Sequence, residues 1–170
     1  MNYTIFSQES SLVSTFLASF LIWLLFLGLA VLWIYDGKKW KEIALHAFIA
    51  SIVAWILSQI VKDIMPILRP FKINGYPPLT LITPGDSSFP SVHAALAFAI
   101  ATSIWFHDKK VGAIYIISAS FIALGRVLTN VHYPVDVIAG AIVGSGSAIL
   151  VDKLHPNKLI KYRKKRKSRG

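Results

Sequence analysis

An all-α integral membrane protein, built as a bundle of about five transmembrane helices, is what three observations predict. Hydrophobic residues make up 55% of the 170-residue chain, and its mean hydropathy of +0.59 exceeds what a soluble domain of this size carries. Apolar runs long enough to cross a hydrocarbon core of about 30 Å recur along the whole chain. Basic residues then sort to one side of those runs, as topology signals do.

The runs lie near 12 to 35, 43 to 65, 90 to 106, 111 to 129 and 134 to 152. The first is too long for a signal-peptide core, has no basic residues before it and meets no small-residue cleavage site before Asp36, so it is read as a retained anchor. The third, from Pro90 to Phe106, is the shortest. Residues 1–11, with Tyr3, Ile5 and Phe6 among polar neighbours, are compatible with an interfacial segment and equally with a frayed terminus. A single transmembrane domain is expected over 1–154, followed by a basic tail over 155–170; there is no internal repeat and no room for a second domain.

Five crossings put the loops at 36–42 and 107–110 and the tail on one side. Of the 18 basic residues, 14 fall there, leaving Lys62, Arg69, Lys72 and Arg126 for the other. The positive-inside rule makes the first side cytoplasmic. The run Arg163-Lys164-Lys165-Arg166-Lys167 has the composition of a nucleic-acid patch. Beside a bilayer, each such cation gains about 1 kcal/mol from anionic headgroups, so anionic lipids and no nucleic acid are its expected partners. With no cysteine, disulfides and thiolate metal sites are excluded.

The outer side collects Lys62, Arg69, Ser91, Val92, His93, Arg126, His132 and Asp136 from three separate stretches. Taken singly, Lys62 and Arg126 read as charges near helix ends that snorkel to the headgroups, and each histidine as a satisfied polar residue. Their joint spacing argues otherwise. Lys62 precedes Arg69-Pro70, then comes Pro90-Ser91-Val92-His93, then Arg126, His132 and Asp136. This resembles the three-part signature of the type 2 phosphatidic acid phosphatase superfamily, the integral-membrane lipid phosphate phosphatases. The five-helix layout is similar to the small bacterial polyprenyl diphosphate phosphatases within it. Val92 stands where the family commonly has Gly, and Gly125 where it commonly has Ser.

The residue types suit that chemistry. Phosphate transfer needs cations around the developing charge and a proton for the leaving oxygen. Arg69 and Arg126 present planar forks, Lys62 a point charge, Ser91 a hydroxyl and Val92 a backbone N–H, with Pro90 suited to the first turn of the third helix. His132 and Asp136, four apart, are expected to be neighbours; the carboxylate fixes the tautomer and raises the basicity of the far nitrogen. His132 is therefore the expected nucleophile, through the phosphohistidine that the resemblance implies, with Asp136 its orienter. His93, of ordinary pKa about 6.5, is placed to protonate the leaving oxygen and then activate water. No cofactor or metal is expected, because the three cations would repel one.

The expected substrate is a membrane lipid with a phosphate or diphosphate headgroup, hydrolysed on the outer face of a bacterial cytoplasmic membrane. By overall resemblance it is undecaprenyl diphosphate. Phosphatidylglycerophosphate, phosphatidic acid, diacylglycerol diphosphate and the 1-phosphate of lipid A remain alternatives. A non-catalytic scaffold binding anionic headgroups is a different class, disfavoured by His93, His132 and Asp136, since headgroup binding needs no nucleophile. The loop over 66–89, carrying Phe71, Tyr76, Pro77, Pro78 and Pro84, is read as a partial lid on the membrane surface or a connector.

Overall fold

The computed structural model describes residues 12–34 and 37–154. The interfacial segment expected over 1–11 and the basic tail over 155–170 lie outside the described residues. Every regular element among those described is a helix: α1 Leu12–Ser19, α2 Leu21–Ile34, α3 Lys38–Ile64, α4 Pro70–Asn74, α5 Val92–His107, α6 Lys109–Leu128 and α7 Pro134–Leu154. Three of them, α3, α6 and α7, are long and apolar enough to cross a membrane, and α1 with α2 makes a fourth span bent by 45°. The fifth apolar column, α5, has only 16 residues.

α7 begins at Pro134 as the sequence reading has it, whereas α3 begins at Lys38, ahead of the apolar run at 43, and α5 begins after Pro90. Pro90 does not occupy the first turn of α5; Ser91 is the N-cap and the helix begins at Val92. His132 lies outside α7, because Pro134 opens that helix. Pro134 supplies no N–H and needs none at a first helical position. The polypeptide therefore turns at Thr129–Tyr133, where Asn130 takes a left-handed conformation with φ 62°.

α5 is the central column, packed against α3, α6 and α7, with α2 covering α3 and α6. Its sequence explains the position. Ala94, Ala95, Ala97, Ala99, Ile100, Ala101 and Ile104 are buried, so small side chains face neighbours around most of its circumference. One apolar cluster joins Ile22, Leu25 and Leu29 to Ile43, Ala47, Ile100, Ile104, Tyr115 and Ile122, and a second joins Ala50 and Ala54 to Ala95, Ala99, Ala148 and Val151. Close approach of α7 depends on glycine: a Cβ on Gly144 would lie 2.2 Å from the Ala95 carbonyl oxygen, and one on Gly140 would lie 2.5 Å from that of Ser91. Small residues at such crossings let helix backbones meet where lipid supplies no hydrophobic drive.

The loop over 66–89 is not a free connector. Leu79 N–H donates to the Thr129 carbonyl at 3.1 Å and Thr15 Oγ1 to the Leu79 carbonyl at 2.9 Å, while Asn130 Nδ2 donates to the Tyr76 carbonyl at 2.9 Å. These bonds clamp the loop between α1 and the α6–α7 turn. Its far end is held separately, by Ser88 N–H on the Ile67 carbonyl at 2.8 Å and Ser87 Oγ on the Met65 carbonyl at 2.9 Å.

Candidate active site

The end of α3, the start of α5, the end of α6 and the start of α7 converge at one end of the bundle. Every site residue expected from the sequence is found there. Lys62, Arg69, Ser91, Arg126, His132 and Asp136 are all buried, and Val92 and His93 are partly covered. The snorkelling alternative for Lys62 and Arg126 fails, since both heads are enclosed by protein and only 5% of each residue is exposed.

Arg69 ties its own stretch to the third stretch and to the long loop. Its Nη1 donates to the Val131 carbonyl at 2.8 Å and lies 3.2 Å from His132 Nε2. Nε donates to the Asp86 carbonyl at 3.0 Å, and Nη2 pairs with the Asp86 carboxylate at 2.6 Å. Lys62 Nζ reaches the other oxygen of that carboxylate at 3.0 Å and also donates to the Ser87 carbonyl. The Asp86 carboxyl thus bridges two buried cations while remaining half exposed itself. Burial alone would raise it, but the hydrogen bonds and charges of Lys62 and Arg69 hold it below the ordinary carboxylate value.

Asp136 is enclosed by donors. Ser88 Oγ donates to its Oδ2 at 2.5 Å, Tyr133 N–H at 2.8 Å, and His132 Nδ1 stands 3.4 Å away. That side of the imidazole therefore faces the carboxylate. Nε2 faces Arg69. Asp136 acts in the expected direction and raises the basicity of the ring, but burial, together with Arg126 and Arg69, outweighs it and holds His132 down to about 4. The ring is neutral at physiological pH, with its lone pair on the side away from Asp136, where it accepts from Arg69 Nη1 at 3.2 Å.

The start of α5 supplies unused donors. Ser91 makes no side-chain cap, its Oγ is buried with no partner, and among the described residues no backbone acceptor meets the N–H groups of Val92, His93 or Ala94. Buried donors are rarely left unmatched, and water or a ligand takes those that protein does not. Here they sit at the positive end of a helix. Arg126 adds a buried Nε without a partner while its Nη1 donates to the Ala18 carbonyl at 3.2 Å. His93 lies near enough to Arg126, His132, Arg69 and Asp86 to feel their charges. Among the described residues no three His, Asp or Glu side chains are arranged to hold a metal ion.

A profile of the PAP2 superfamily matches residues 43–160, taking in all three stretches. The chain belongs to the PAP2 superfamily. As a member of that superfamily it is an integral membrane phosphatase, a hydrolase acting on phosphorylated lipid. It is 35% identical over 136 residues to the bacitracin transport permease protein BcrC of Bacillus licheniformis, covering 80% of this chain and 67% of that one. It is 32% identical over 114 residues to an undecaprenyl-diphosphatase of Sulfolobus acidocaldarius, covering 66% and 55%. Among solved structures, LpxE of Aquifex aeolicus superposes with a TM-score of 0.72 at 29% identity, covering 85% of this chain and 86% of that one.

Three participants in this PAP2 site were not singled out from the sequence. Asp86 and Ser88 come from the long loop, and the Ala18 carbonyl comes from the first span. Asp86 carried a faint signal as a lone acid in a cation-bearing loop. Ser88 carried less, being one of several hydroxyls before Pro90, and a backbone carbonyl carries none.

The structure also explains Gly125. A Cβ there would stand 2.8 Å from Leu17 Cβ and 2.9 Å from the Ala18 backbone nitrogen, so the glycine lets α1 close on α6 and deliver the Ala18 carbonyl to Arg126.

Proposed function

We propose that this phosphatase hydrolyses a polyprenyl diphosphate, of the undecaprenyl class, to the monophosphate and inorganic phosphate. The observation that supports this most is a neutral histidine, backed by a buried carboxylate, beside Arg69 and Arg126 in a site that also holds Lys62 and a set of N–H and O–H donors without protein partners. A headgroup-binding scaffold would need the cations but neither the histidines nor the carboxylate. The relative from Sulfolobus acidocaldarius named an undecaprenyl-diphosphatase favours the diphosphate among the lipid phosphates.

The terminal phosphate is received by Lys62, Arg69 and Arg126, by Ser91 Oγ and by the Val92 and His93 N–H groups. These donors spread the charge of the equatorial oxygens as the transition state forms. His132 Nε2 attacks phosphorus, the bond from phosphorus to the bridging oxygen breaks, and His93 gives its proton to the departing lipid monophosphate. Asp136 accepts from His132 Nδ1–H and stabilises the positive ring. In the second half His93 takes a proton from water, the hydroxide attacks the phosphohistidine, and the N–P bond breaks to release phosphate. Helix walls below the cradle leave the isoprenoid tail in lipid.

The cation distribution supports an outward-facing site and a cytoplasmic tail in a bacterial cytoplasmic membrane, with the tail on anionic lipid. Phosphate release from undecaprenyl diphosphate in detergent, with and without EDTA, tests the reading. Activity is expected to survive the chelator and to vanish in His132→Ala at normal expression. Turnover in that variant at the parent rate overturns the nucleophile, and preference by kcat/KM for phosphatidylglycerophosphate or phosphatidic acid overturns the substrate.

A further inference from the structure

We propose that Asp86 is a specificity-determining residue: a built-in anion occupying the phosphate cradle, which a lipid headgroup must displace. This rests on the reading of Lys62 and Arg69 as phosphate ligands. The carboxylate does what two phosphate oxygens would do, one oxygen on Arg69 Nη2 at 2.6 Å and the other on Lys62 Nζ at 3.0 Å. Its side chain is 50% exposed, whereas those of Lys62 and Arg69 are 4% and 3% exposed, so it closes the cradle from the open side.

The carboxylate can leave without dismantling the site. Arg69 Nε stays on the Asp86 carbonyl at 3.0 Å and Nη2 within 3.2 Å of the Ser87 carbonyl, Lys62 also donates to the Ser87 carbonyl, and Ser87 Oγ donates to the Met65 carbonyl at 2.9 Å. Main-chain acceptors therefore hold the two cations and the loop in place while the side chain rotates outward. Ordered cations and a removable counter-ion are what a threshold requires.

The threshold acts on charge. A buried cationic cradle opening on a membrane is surrounded by phosphodiester lipids, each able to offer a single negative charge at concentrations far above any substrate. A diester exchanges one charge for the one Asp86 already provides and gains little. A terminal phosphate carries roughly −1.5 to −2, and a diphosphate more, so it gains Coulomb energy from all three cations on replacing the carboxylate. When the competent, open cradle is populated at only about 1 to 10%, every ligand's apparent affinity falls by the same factor of about ten to a hundred, which takes weakly held diesters out of the cradle at their bulk concentration and leaves the more strongly held terminal phosphates bound.

The test uses the full chain in dodecyl maltoside micelles, following phosphate release from undecaprenyl diphosphate. Inhibition constants are measured for inorganic phosphate and for dioleoyl phosphatidylglycerol mixed into the micelles, for the parent, Asp86→Asn and Asp86→Glu. Asp86→Asn is expected to lower the inhibition constant of the diester by about tenfold or more, bringing on inhibition by bulk lipid, and Asp86→Glu to lower it less. Constants that are unchanged or raised would make Asp86 a positioning residue for the cations and overturn the proposal. Should Asp86→Asn not fold, the direction found in Asp86→Glu decides. A parent protein that neither releases phosphate nor is inhibited by inorganic phosphate refutes the cradle itself; an active, inhibitable parent with insensitive variants refutes only the role of Asp86.

Discussion

Restoring the family's serine at position 125 should harm this protein. The Gly125 Cα faces the α1 backbone so closely that a Cβ would stand 2.8 Å from Leu17 Cβ, 2.9 Å from the Ala18 nitrogen and 3.0 Å from the Leu17 carbonyl carbon. Two of those atoms are main chain, so no side-chain rotation relieves the contact; α1 must move away from α6. Overpacking of this kind costs about 1 to 3 kcal/mol. For a chain of this size each kcal/mol lowers Tm by about 2 to 4 °C, giving a fall of about 2 to 12 °C for Gly125→Ser. The displacement also lengthens the 3.2 Å bond from Arg126 Nη1 to the Ala18 carbonyl, leaving a buried guanidinium with fewer acceptors. Loss of aim at that guanidinium should lower kcat/KM by about tenfold for each 1.4 kcal/mol of transition-state binding removed. Thermal unfolding in detergent, followed by circular dichroism alongside phosphate release, reads both effects. Gly125→Ala should reproduce most of the loss, because the Cβ causes it. Unchanged Tm and kcat/KM in both variants would refute the account of α1 as a part of the site.

Ser88→Ala removes the 2.5 Å bond to Asp136 Oδ2, a charge-assisted contact worth about 1.5 to 3 kcal/mol. Since Ser88 touches Asp136 and His132 but none of the cations, kcat should fall about ten- to a hundredfold with KM nearly constant; a raised KM at unchanged kcat would show that it acts on binding. His132 should stay neutral down to about pH 4 in the free protein, well below the usual 6.5. The unfolded chain binds that proton first as pH falls, so the ring's contribution of about 3 kcal/mol is complete above 6.5 and is lost between 6.5 and 4. Histidine NMR, assigned with His132→Ala, checks it, and a midpoint near 6.5 would contradict the burial argument.

How much of this was legible beforehand follows from what each feature depends on. Helical spans are properties of composition and length, so the columns α3, α5, α6 and α7 could be read directly, whereas the short α4 inside the loop over 66–89 could not. The spacing from Lys62 to Asp136 exposed the side chains that the fold gathers at one end of the bundle, because motif residues are fixed to helix ends. Helix starts were less legible: whether Pro90 or Pro134 opens its helix depends on local turns, and only the second does. Least legible were Asp86 and the Ala18 carbonyl. Each reaches the site through a long-range contact, made by a loop clamped at Leu79 or a helix admitted by Gly125, and neither contact leaves a periodic trace.

The shortness of α5 is what allows a charged site in this setting. Sixteen residues rise only about 24 Å, less than the roughly 30 Å of a hydrocarbon core. A helix facing lipid would leave its first N–H groups unsatisfied there, at several kcal/mol each. α5 escapes that cost because α3, α6 and α7 surround it, and its alanines let them approach. Its N-terminus can therefore start below the ends of its neighbours, in a recess whose walls carry Lys62, Arg126 and Asp136 from those three helices. The donors of Ser91, Val92 and His93 then face an enclosed space of low dielectric, where a contact to the proposed phosphate would count for more than at an open surface. Lengthening α5 by a turn would fill the recess with helix, so the apparent defect in the shortest span is the condition for having a site.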